Sequence, residues 1–415
     1  MISILIIDDT SEKVNNFKLV LDKFCLSDMN YSIVNDIKNA INELNKHYYD
    51  LVVLDMFIPF EWGGEPDPQN AIDFISQINQ DEDLHQPLSI LAITKINELG
   101  QEIKEKLNQT TISLLQYKDN SDVWKLQFEN RIKALIGIKK NLFTRQCFDY
   151  DIAVINALQI PEHEMLKKVF GCKWSTIKVE SDAFNNYYEG LLEDKNGKTI
   201  RCVATYANQM AGTASASLTT KVIYNFRPKY LFMTGIAAGV ENKVINYGDI
   251  LVASEVWDGA SGKIKTDQQS GKTIFEPDYR QKSLDSEFTN IISRLKANTD
   301  LLSSIENNYQ TRNGKPQTHL AIHSGPMASV PAVLSCKNEI DKIQQHARKL
   351  QGIEMESYGM FYAAANAIKP LPKIVASLKS VSDFADVKKN DNYQEYASYT
   401  SAALLKHIIT NELDF

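Results

Sequence analysis

Short apolar runs alternate with amphipathic segments along the first third of the chain. Four runs have the length and β-branched content of buried strands, and they cover residues 4–7, 51–57, 88–94 and 111–117. Between them, apolar residues recur at helical spacing over residues 11–24, 37–46 and 71–78. This alternation predicts a repeat of strand and helix, and therefore a parallel sheet.

The same kind of pattern restarts near residue 150. Further apolar runs predict strands over residues 151–158, 200–207, 248–258, 318–329 and 371–378, and residues 229–240 predict a strand that runs into a Gly/Ala loop. With 415 residues, 43% of them hydrophobic, the chain is too long for one ordinary core and can fill two. We therefore expect two α/β domains, residues 1–136 and 150–415, joined by a short and partly helical connector over residues 137–149.

Composition narrows the classes of partner and compartment. The net charge of −7 and a pI near 5.6 leave no general basic surface, so nucleic-acid binding is not expected. The chain reaches two acids after seven residues and has no apolar run of about 18 residues, so we expect no signal peptide and no membrane span. Scattered cysteines without metal-binding spacing predict reduced thiols in a cytoplasmic protein. They are Cys25, Cys147, Cys172, Cys202 and Cys336.

Three acids of the first segment fall at the ends of predicted strands. Asp8 and Asp9 follow the first strand, and Asp55 lies near the end of the strand over residues 51–57. Because the carboxyl ends of parallel strands share one edge of a sheet, these carboxylates would repel one another unless they held a hard cation such as Mg²⁺. The alternative is that they are turn acids that cap the following helices.

Together with Thr94 and Lys118, these acids make residues 1–136 resemble the receiver domain of bacterial response regulators. The resemblance implies a flavodoxin-like fold with a five-stranded parallel sheet. It also implies that Asp55 accepts a phosphoryl group and, with Asp8 and Asp9, binds Mg²⁺ as the cofactor. Thr94 would be the switch hydroxyl, and Lys118 would offset charge on the phosphoryl group. The implied partner is a cognate sensor histidine kinase.

Two features depart from the pattern of that family. The loop after Asp55 is long and spans residues 57–70, which implies altered access to the phosphorylation site. Lys118 is followed by Asp119, where the family usually has proline, and this affects the assignment of Lys118. The alternative is a degenerate receiver that is not phosphorylated.

In the second segment, acids again lie where apolar sequence ends. Residues 378–386, LKSVSDFAD, predict that Asp383 lies at the carboxyl end of a buried strand, the edge at which α/β sheets bind ligands. Upstream, Glu354 and Glu356 flank Met355. Buried acids are costly unless they have partners or a function. The alternative for Asp383 is a helix N-cap.

Small residues at 235–239 predict a loop that follows the strand begun at residue 229. Glycine and alanine let backbone approach a ligand closely, and loop amides bind oxyanions. A tight structural turn is the alternative for this segment.

Five motifs occur in the order found in the superfamily of purine nucleoside phosphorylases and methylthioadenosine nucleosidases: TGIAAGV, GDILVAS, SGPMAS, EMES and SDFAD. The resemblance covers about residues 150–412 and implies an α/β/α sandwich with a mixed sheet. It implies that Asp383 protonates N7 of a purine and that Glu356 grips the ribose hydroxyls. Met355 would lie against the sugar, and Glu354 would also belong to the substrate site.

The same resemblance assigns further positions. Glu162 would orient the attacking water, although the turn over residues 157–164 is one residue longer than usual and leaves Glu164 as the alternative. Gly235 and Gly239 would lie near the sugar and phosphate side of the substrate. Ala328 and Ser329 would lie along the base.

A phosphorylated substrate would need cations, whereas the glycosidic chemistry itself implies no cofactor. Lys379 is best placed to bind a phosphorylated substrate, because it lies four residues before Asp383. The other candidates, each with the alternative of being a solvated surface charge, are Arg201, Lys221, Arg227 and Lys243.

A receiver joined to a nucleosidase-like domain resembles the effectors of Detocs, a bacterial anti-phage two-component system in which such a fusion cleaves adenine from ATP. The resemblance predicts a phosphorylation-activated enzyme that converts ATP to adenine and ribose 5′-triphosphate, and the phosphorylase fold implies a homo-oligomer. A receiver-regulated purine nucleoside phosphorylase and a methylthioadenosine- or adenosylhomocysteine-type nucleosidase are the alternatives. A third alternative is a binding protein and not an enzyme: the second domain would have lost activity and would only sense a nucleoside.

Overall fold

The computed structural model describes residues 1–24, 29–95, 100–108, 110, 112–119, 121–144, 147–240, 244–266, 268, 271, 273–278, 280–311, 314–333, 337–385 and 391–415. Two units divide the chain, an N-terminal unit over Met1–Arg145 and a C-terminal unit over Gln146–Phe415. None of the helices in the described part of the chain has the length and hydrophobicity that crossing a membrane requires.

The N-terminal unit alternates strands and helices as the sequence predicts. Its strands are β1 (Ile2–Ile7), β2 (Met29–Val34), β3 (Leu51–Asp55), β4 (Ser89–Lys95) and β5 (Ser113–Tyr117). Its helices are α1 (Ser11–Leu21), α2 (Ile37–Lys46), α3 (Pro68–Gln80), α4 (Gln101–Asn108) and α5 (Asp122–Thr144). The strands pair in parallel in the order β2-β1-β3-β4-β5, which is the flavodoxin-like arrangement and confirms the predicted fold class.

Local sequence explains these elements. Successive residues of β1 point to opposite faces, so Ile4 and Ile6 pack with α1 and α5 while Leu5 and Ile7 pack with α2 and α3. The helix α2 begins after Asp36, whose carboxylate accepts the backbone N–H of Asn39 and so satisfies a free donor of the first turn.

Two parts of this unit differ from the apolar pattern. The strand β2 was not among the apolar runs, because it lies at the edge of the sheet and is mostly half-buried. The helix α5 continues to Thr144, so it extends through most of the predicted connector over residues 137–149.

The C-terminal unit contains more strands than the sequence pattern indicates. They are β6 (Tyr150–Asn156), β7 (Trp174–Ile177), β8 (Tyr187–Glu193), β9 (Thr199–Tyr206), β10 (Pro228–Gly239), β11 (Ile250–Asp258), β12 (Gly262–Thr266), β13 (Thr273–Pro277), β14 (Gln281–Ser283), β15 (Ile322–Ser329), β16 (Gly352–Glu354) and β17 (Ile374–Asp383). The helices are α6 (Glu164–Phe170), α7 (Gly212–Phe226), α8 (Ser286–Lys296), α9 (Thr299–Asn308), α10 (Lys337–His346), α11 (Ser357–Ala365) and α12 (Gln394–Asn411). A single π-helical turn, Gln159–His163, joins β6 to α6.

The strand β10 organises this unit. It pairs in parallel with β6 and β17 and antiparallel with β16, while β17 also pairs with β11. Because β11 pairs with β15 and β15 pairs with β16, these five strands close into a ring from which β6, β9, β8 and β7 extend as a sheet. Helices cover both faces: α6, α8 and α12 pack on one core, and α7 and α11 pack on the other. The mixed-sheet α/β/α sandwich is therefore confirmed.

The prediction of a loop over residues 235–239 is wrong. These residues belong to β10, which remains extended through Gly239 and pairs there with both β16 and β17. The small side chains permit pairing on both edges where the ring closes. The result is that the ends of β10, β16 and β17 meet in one place.

Candidate active site and phosphoacceptor site

A pocket in the C-terminal unit lies where β10, β16 and β17 end beside the π-helical turn. Among the residues that line it are Glu162, Ile236, Met355, Glu356, Ser382 and Asp383. The three acids named as catalytic from the sequence therefore face one pocket, although they come from distant parts of the chain. In the described part of the chain, none of the side chains lining this pocket is cationic.

Glu162 lies in the π-helical turn and is almost completely buried. One carboxylate oxygen accepts the backbone N–H groups of Ala157 and Leu158, each at 2.8 Å, and the other accepts the N–H of Ile236 at 2.9 Å. Burial raises the pKa of Glu162 to about 7, although the charge of Lys379 and the backbone hydrogen bonds lower it. This carboxyl group can therefore gain or lose a proton near neutral pH.

Gly235 is required by the position of Glu162. It has a φ of 153°, and a Cβ atom there would lie 2.1 Å from Glu162 Oε1. In contrast, the Glu164 side chain is half exposed and lies 3.5 Å from the Lys167 ammonium group. Of the two glutamates that the sequence left open, Glu162 is the one that faces the pocket.

Glu356 immediately precedes α11 and presents its carboxylate between two donors. Its Oε2 atom accepts the Lys379 ammonium group at 2.7 Å, and its Oε1 atom accepts the backbone N–H of Ala211 at 3.1 Å. Ala211 is the residue before α7, so this contact joins the starts of two helices. Met355 lines the same pocket.

Both carboxylate oxygens of Glu354 accept hydrogen bonds from the protein. Its Oε2 atom accepts the N–H groups of Glu356 and Ser357 and the hydroxyl of Ser357, while its Oε1 atom accepts the hydroxyl of Ser329. Burial opposes ionisation, but Lys379 and these hydrogen bonds outweigh it and lower the pKa of Glu354. Glu354 is among the residues lining the pocket, and because both of its oxygens are engaged by the protein it also anchors the neighbouring side chains.

Lys379 does not lie where a phosphate ligand would be expected. Its side chain is 1% exposed, and its ammonium group lies 2.7 Å from Glu356 Oε2 and 3.0 Å from Glu354 Oε2. The sequence indicated a cation near Asp383 but not its partners. Two other candidate cations are paired with acids, Lys221 with Asp182 at 2.8 Å and Arg201 with Glu189. Arg227 follows α7, and Lys243 lies outside the described residues.

Asp383 is the last residue of β17 and pairs in register with Ala238 of β10. Its Oδ1 atom accepts the N–H of Ala385 at 2.8 Å, and its Oδ2 atom accepts the Ser382 hydroxyl at 3.1 Å. The residue is 7% exposed and lines the pocket. It ends a strand, as the sequence predicts, and does not cap a helix in the described residues.

Ala328 and Ser329, which the sequence predicts along the base, precede the residues of this segment that line the pocket, and Ser329 lines a neighbouring pocket that also includes Val330 and Met355. Ala328 packs in a buried cluster with Trp257, and the Ser329 hydroxyl is engaged with Glu354. Val330 and Val333, which follow them, line the pocket instead. Gly239 serves packing, because a Cβ atom there would lie 3.0 Å from side-chain atoms of Phe384 and Val381.

The N-terminal unit contains a second acidic cluster at the ends of β1 and β3. One oxygen each from Asp8, Asp9 and Asp55 lies within 4.8 Å of the others. Asp8 and Asp55 are buried, and burial together with the charge of Asp8 raises the pKa of Asp55 to about 6. A set of three carboxylates is the kind of donor set that suits a hard divalent cation.

The cation that contacts this cluster is Lys13, which sequence reasoning missed. It is the third residue of α1, and its ammonium group contacts Asp55 Oδ2 and lies 3.3 Å from Asp8 Oδ2. The Asp8 Oδ2 atom is buried without a hydrogen-bond donor among the described residues, so this ion pair is its described polar contact. The only signal in the sequence was a lysine four residues after Asp9, at the start of a predicted helix.

Thr94 and Lys118 remain predictions. Thr94 is buried one residue after Ile93, the partner of Asp55 in the β3–β4 register, and its hydroxyl donates to the Lys95 carbonyl at 3.1 Å. Lys118 directly follows β5 and is exposed.

Comparison with protein families matches residues 151–410 to the phosphorylase superfamily, which is more than half of the chain. The chain belongs to this superfamily.

Three relatives extend the comparison. An uncharacterized protein, y4jS, of Sinorhizobium fredii is 28% identical over 411 residues, which cover 97% of both chains. A death domain-containing ATP nucleosidase of Amphimedon queenslandica is 25% identical over 48% of this chain and 37% of its own length. The ATP nucleosidase Cap17 of Escherichia coli is 23% identical over 61% of this chain and 50% of its own length.

Proposed function

We propose that this protein is a nucleosidase that hydrolyses the N-glycosidic bond of ATP and releases adenine and ribose 5′-triphosphate. Its N-terminal unit is a receiver whose phosphorylation activates the enzyme, as the effector of a bacterial anti-phage two-component system. The observation that carries the catalytic part is the convergence of Glu162, Glu356 and Asp383 on one pocket. The acidic cluster around Asp55 carries the regulatory part.

Asp383 acts on the leaving group. When the bond between C1′ of the ribose and N9 of adenine breaks, its electron pair moves into the base, and the barrier falls if N7 receives a proton. Asp383 lines the pocket at the end of β17, and the Ser382 hydroxyl and the Ala385 N–H fix the orientation of its carboxyl group. A proton on Asp383 can therefore be delivered to the base in one defined direction.

Glu356 acts on the sugar. A carboxylate offers about four lone-pair positions, and Lys379 and Ala211 each occupy one, so one position on each oxygen remains for the two ribose hydroxyls. Loss of adenine leaves positive charge on the sugar, which nearby carboxylates stabilise.

Glu162 distinguishes water from phosphate as the attacking group. The N–H groups of Ala157, Leu158 and Ile236 could hold an oxyanion, but they donate to the carboxylate of Glu162. A phosphate ion would meet this carboxylate without a cation among the described lining residues, whereas water can transfer a proton to it as the oxygen bonds to C1′. The site therefore favours hydrolysis over phosphorolysis.

The choice of ATP as substrate rests on the relatives. Two of them, from Escherichia coli and Amphimedon queenslandica, are named ATP nucleosidases, and the chemistry of the three acids fits removal of adenine from a ribose. Methylthioadenosine- or adenosylhomocysteine-type substrates are the second candidate. In both cases adenine is the leaving base, so the substrates differ only at the 5′ position of the sugar.

The regulatory part of the proposal places phosphorylation at Asp55. Asp8, Asp9 and Asp55 would hold Mg²⁺, which shields the charge of an incoming phosphoryl group while the Asp55 carboxylate attacks it. A sensor histidine kinase is the phosphoryl donor that the resemblance to receiver domains implies. The Thr94 hydroxyl and a lysine, Lys13 or Lys118, are the groups of this chain that would bind the phosphoryl oxygens.

Incubation of the protein, activated by Mg²⁺ and beryllofluoride as a mimic of the acyl phosphate, with a panel of ATP, dATP, AMP, adenosine, methylthioadenosine and adenosylhomocysteine tests the proposal. Chromatography would measure free adenine and the sugar product, with and without inorganic phosphate. We expect adenine and ribose 5′-triphosphate from ATP, with no sugar 1-phosphate when phosphate is added. Release of sugar 1-phosphate would instead establish the phosphorylase, and no base release from any compound would reject the enzymatic proposal.

A further inference from the structure

A lysine ammonium group lies inside the C-terminal unit, close to the proposed catalytic acids. Lys379 occupies the middle of β17, where its backbone pairs with Gly235 of β10 on one side and Leu251 of β11 on the other. Because neighbouring strands hold both edges of β17, the start of the Lys379 side chain has a fixed position. The side chain is 1% exposed, so its ammonium group depends on protein partners and not on solvent.

Three carboxylates supply the charge that Lys379 needs. Burial alone would lower the pKa of Lys379, but the charges of Glu356, Glu354 and Glu162 raise it well above its ordinary value. The lysine therefore stays charged, and it is the cation in direct contact with Glu354 and Glu356 among the described residues. The ammonium group is in direct contact with two of these three acids, so its position constrains the position of their carboxylates.

The contacts give Glu354 and Glu356 different roles. Glu354 is fixed by Ser329, Ser357 and the following backbone, and therefore gives Lys379 an immobile partner. From that partner the ammonium group reaches Glu356, whose second oxygen is held by Ala211. Without Lys379, one oxygen of Glu356 would lose its described hydrogen-bond donor and the carboxylate could turn.

We infer that Lys379 is a positioning residue of the active site: anchored by Glu354, it orients Glu356 toward the ribose, and it is not a ligand of the triphosphate. The inference rests on the proposed nucleosidase function. It replaces the role that the sequence suggested for this lysine with one that acts through two other side chains.

The inference has a consequence for pH dependence. The charge of Lys379 lowers the pKa of Glu162, which burial has raised to about 7, and the charge of Glu356 raises it. His163 beside it is buried and neutral, because burial lowers its pKa to about 3. Glu162 must be ionised to accept a proton from water, so activity should fall as the pH drops through about 7. Removal of the Lys379 charge should move this fall to higher pH.

The variants Lys379→Met and Lys379→Arg test the inference. We would measure kcat and KM for ATP from pH 5.5 to pH 9 in the full chain, under the activating condition that gives the highest rate. For Lys379→Met we expect kcat/KM at pH 7 to fall at least about tenfold, with the acidic limb moved upward by about one pH unit or more. Lys379→Arg keeps the charge and should retain the wild-type limb and most of the activity.

A matched control is Lys139→Met, which removes a lysine paired with buried Asp50 in the N-terminal unit. It should leave the limb unchanged. If Lys379→Met fails to fold, the double variant Lys379→Met with Glu354→Gln restores the charge balance of the cluster and should still show the shifted limb. An unshifted limb with undiminished kcat/KM in a folded Lys379→Met variant would overturn the inference.

A binding measurement separates this inference from the proposed function. If the wild type releases no base, the proposed nucleosidase function is rejected. Calorimetric titration with adenosine would still measure an affinity to which the contact between Glu356 and the ribose contributes. Lys379→Met should weaken adenosine binding at least about tenfold and Lys379→Arg should restore it. Equal binding by all three proteins would reject the positioning role independently of catalysis.

Discussion

Each unit of this protein buries one lysine among carboxylates, but the two clusters are built differently. Lys13 lies on α1 and reaches on its flexible side chain to Asp8 and Asp55 at strand ends, beside the partly exposed Asp9. Lys379 lies within a strand that is paired on both edges. The ammonium group of Lys379 has two carboxylate partners, one of which, Glu354, is itself fixed by further hydrogen bonds, whereas that of Lys13 lies beside an acidic cluster with a partly exposed member.

The two clusters also differ in how far each lysine offsets the effect of burial on the pKa values of the acids that it contacts. Lys13 does not offset the two buried acids that it contacts, since burial still raises the pKa of Asp8 and that of Asp55, the latter to about 6. Lys379 and the surrounding hydrogen bonds lower the pKa of Glu354 despite complete burial. Both acids that contact Lys13 therefore have raised pKa values, whereas Glu354 in contact with Lys379 has a lowered one, and in the C-terminal cluster the raised pKa is that of Glu162.

The largest expected effect comes from Asp383→Asn, which tests whether the C-terminal cluster is catalytic. The amide fills the same space but cannot deliver a proton to adenine, so we expect adenine release to fall by about 10²- to 10⁴-fold. Asp285→Asn is a suitable control, because Asp285 caps α8 and is not among the residues lining the pocket. Circular dichroism should show both variants folded. Normal adenine release by Asp383→Asn would remove proton donation from the mechanism.

The next effect in size concerns Glu356→Gln. A hydrogen bond to a charged group contributes ~1.5–3 kcal/mol, so loss of the charge should lower kcat/KM for ATP about ten- to a hundredfold. Steady-state kinetics would measure it. Glu189→Gln, which alters a surface ion pair with Arg201, is the matched control and should behave as wild type. Unchanged turnover in Glu356→Gln would exclude this residue from the site.

These acids could be predicted because local sequence marks them. Apolar sequence gives way to polar sequence at strand ends, and parallel strands bring such ends together, so the positions of Asp8, Asp55 and Asp383 follow from the chain itself. The choice of Glu162 over Glu164 required the structure, because one additional residue in the turn shifts the helical register. Only the folded structure shows which carboxylate reaches the backbone N–H of Ile236.

The pairing of Lys13 and Lys379 with these acids could not be predicted, because each lysine is distant from its acid along the chain. Lys379 and Glu356 are 23 residues apart, and Lys13 and Asp55 are 42 residues apart. A lysine on an amphipathic helix or beside a strand end is usually a solvated charge, and nothing local separates that case from burial. The hydrogen bond between the Ser329 hydroxyl and Glu354 could not be predicted either, because it depends on the pairing of β15 with β16.

A third prediction tests whether the N-terminal cluster is a switch. Beryllofluoride with Mg²⁺ mimics an acyl phosphate and should raise ATP cleavage at least about tenfold. Shifting an equilibrium from about 1:99 to 99:1 needs ~5.5 kcal/mol, and charge-assisted hydrogen bonds to the phosphoryl group can supply part of it. Adenine release would be measured with and without the mimic.

Asp55→Asn should not respond to the mimic, whereas Asp50→Asn should respond as wild type. Asp50 is also buried and paired with a lysine in this unit, but it lies outside the acidic cluster. Equal activation of the wild type and of Asp55→Asn would locate the switch elsewhere.

The smallest expected effect tests the comparison itself, through Lys13→Met. The Lys13 ammonium group forms ion pairs with Asp8 and Asp55. A divalent cation that binds these acids must therefore either displace the ammonium group or be repelled by its positive charge. Removing the lysine should therefore strengthen Mg²⁺ binding by about tenfold, or about 1.4 kcal/mol. Isothermal titration calorimetry would measure the affinity. Lys133→Met, which removes only a surface pair with Glu129, should bind Mg²⁺ as wild type does.

The same variant separates two roles of Lys13 by the response to beryllofluoride. If Lys13 only neutralises the resting cluster, Lys13→Met should bind the mimic at least as well as wild type, because the lysine no longer competes with the cation. If Lys13 also pairs with the phosphoryl oxygens, in place of Lys118, Mg²⁺ binding should strengthen while the mimic binds more weakly. Weaker Mg²⁺ binding in Lys13→Met would show instead that the lysine is as fixed in the N-terminal cluster as Lys379 is in the C-terminal one, and the contrast between the two units would fail.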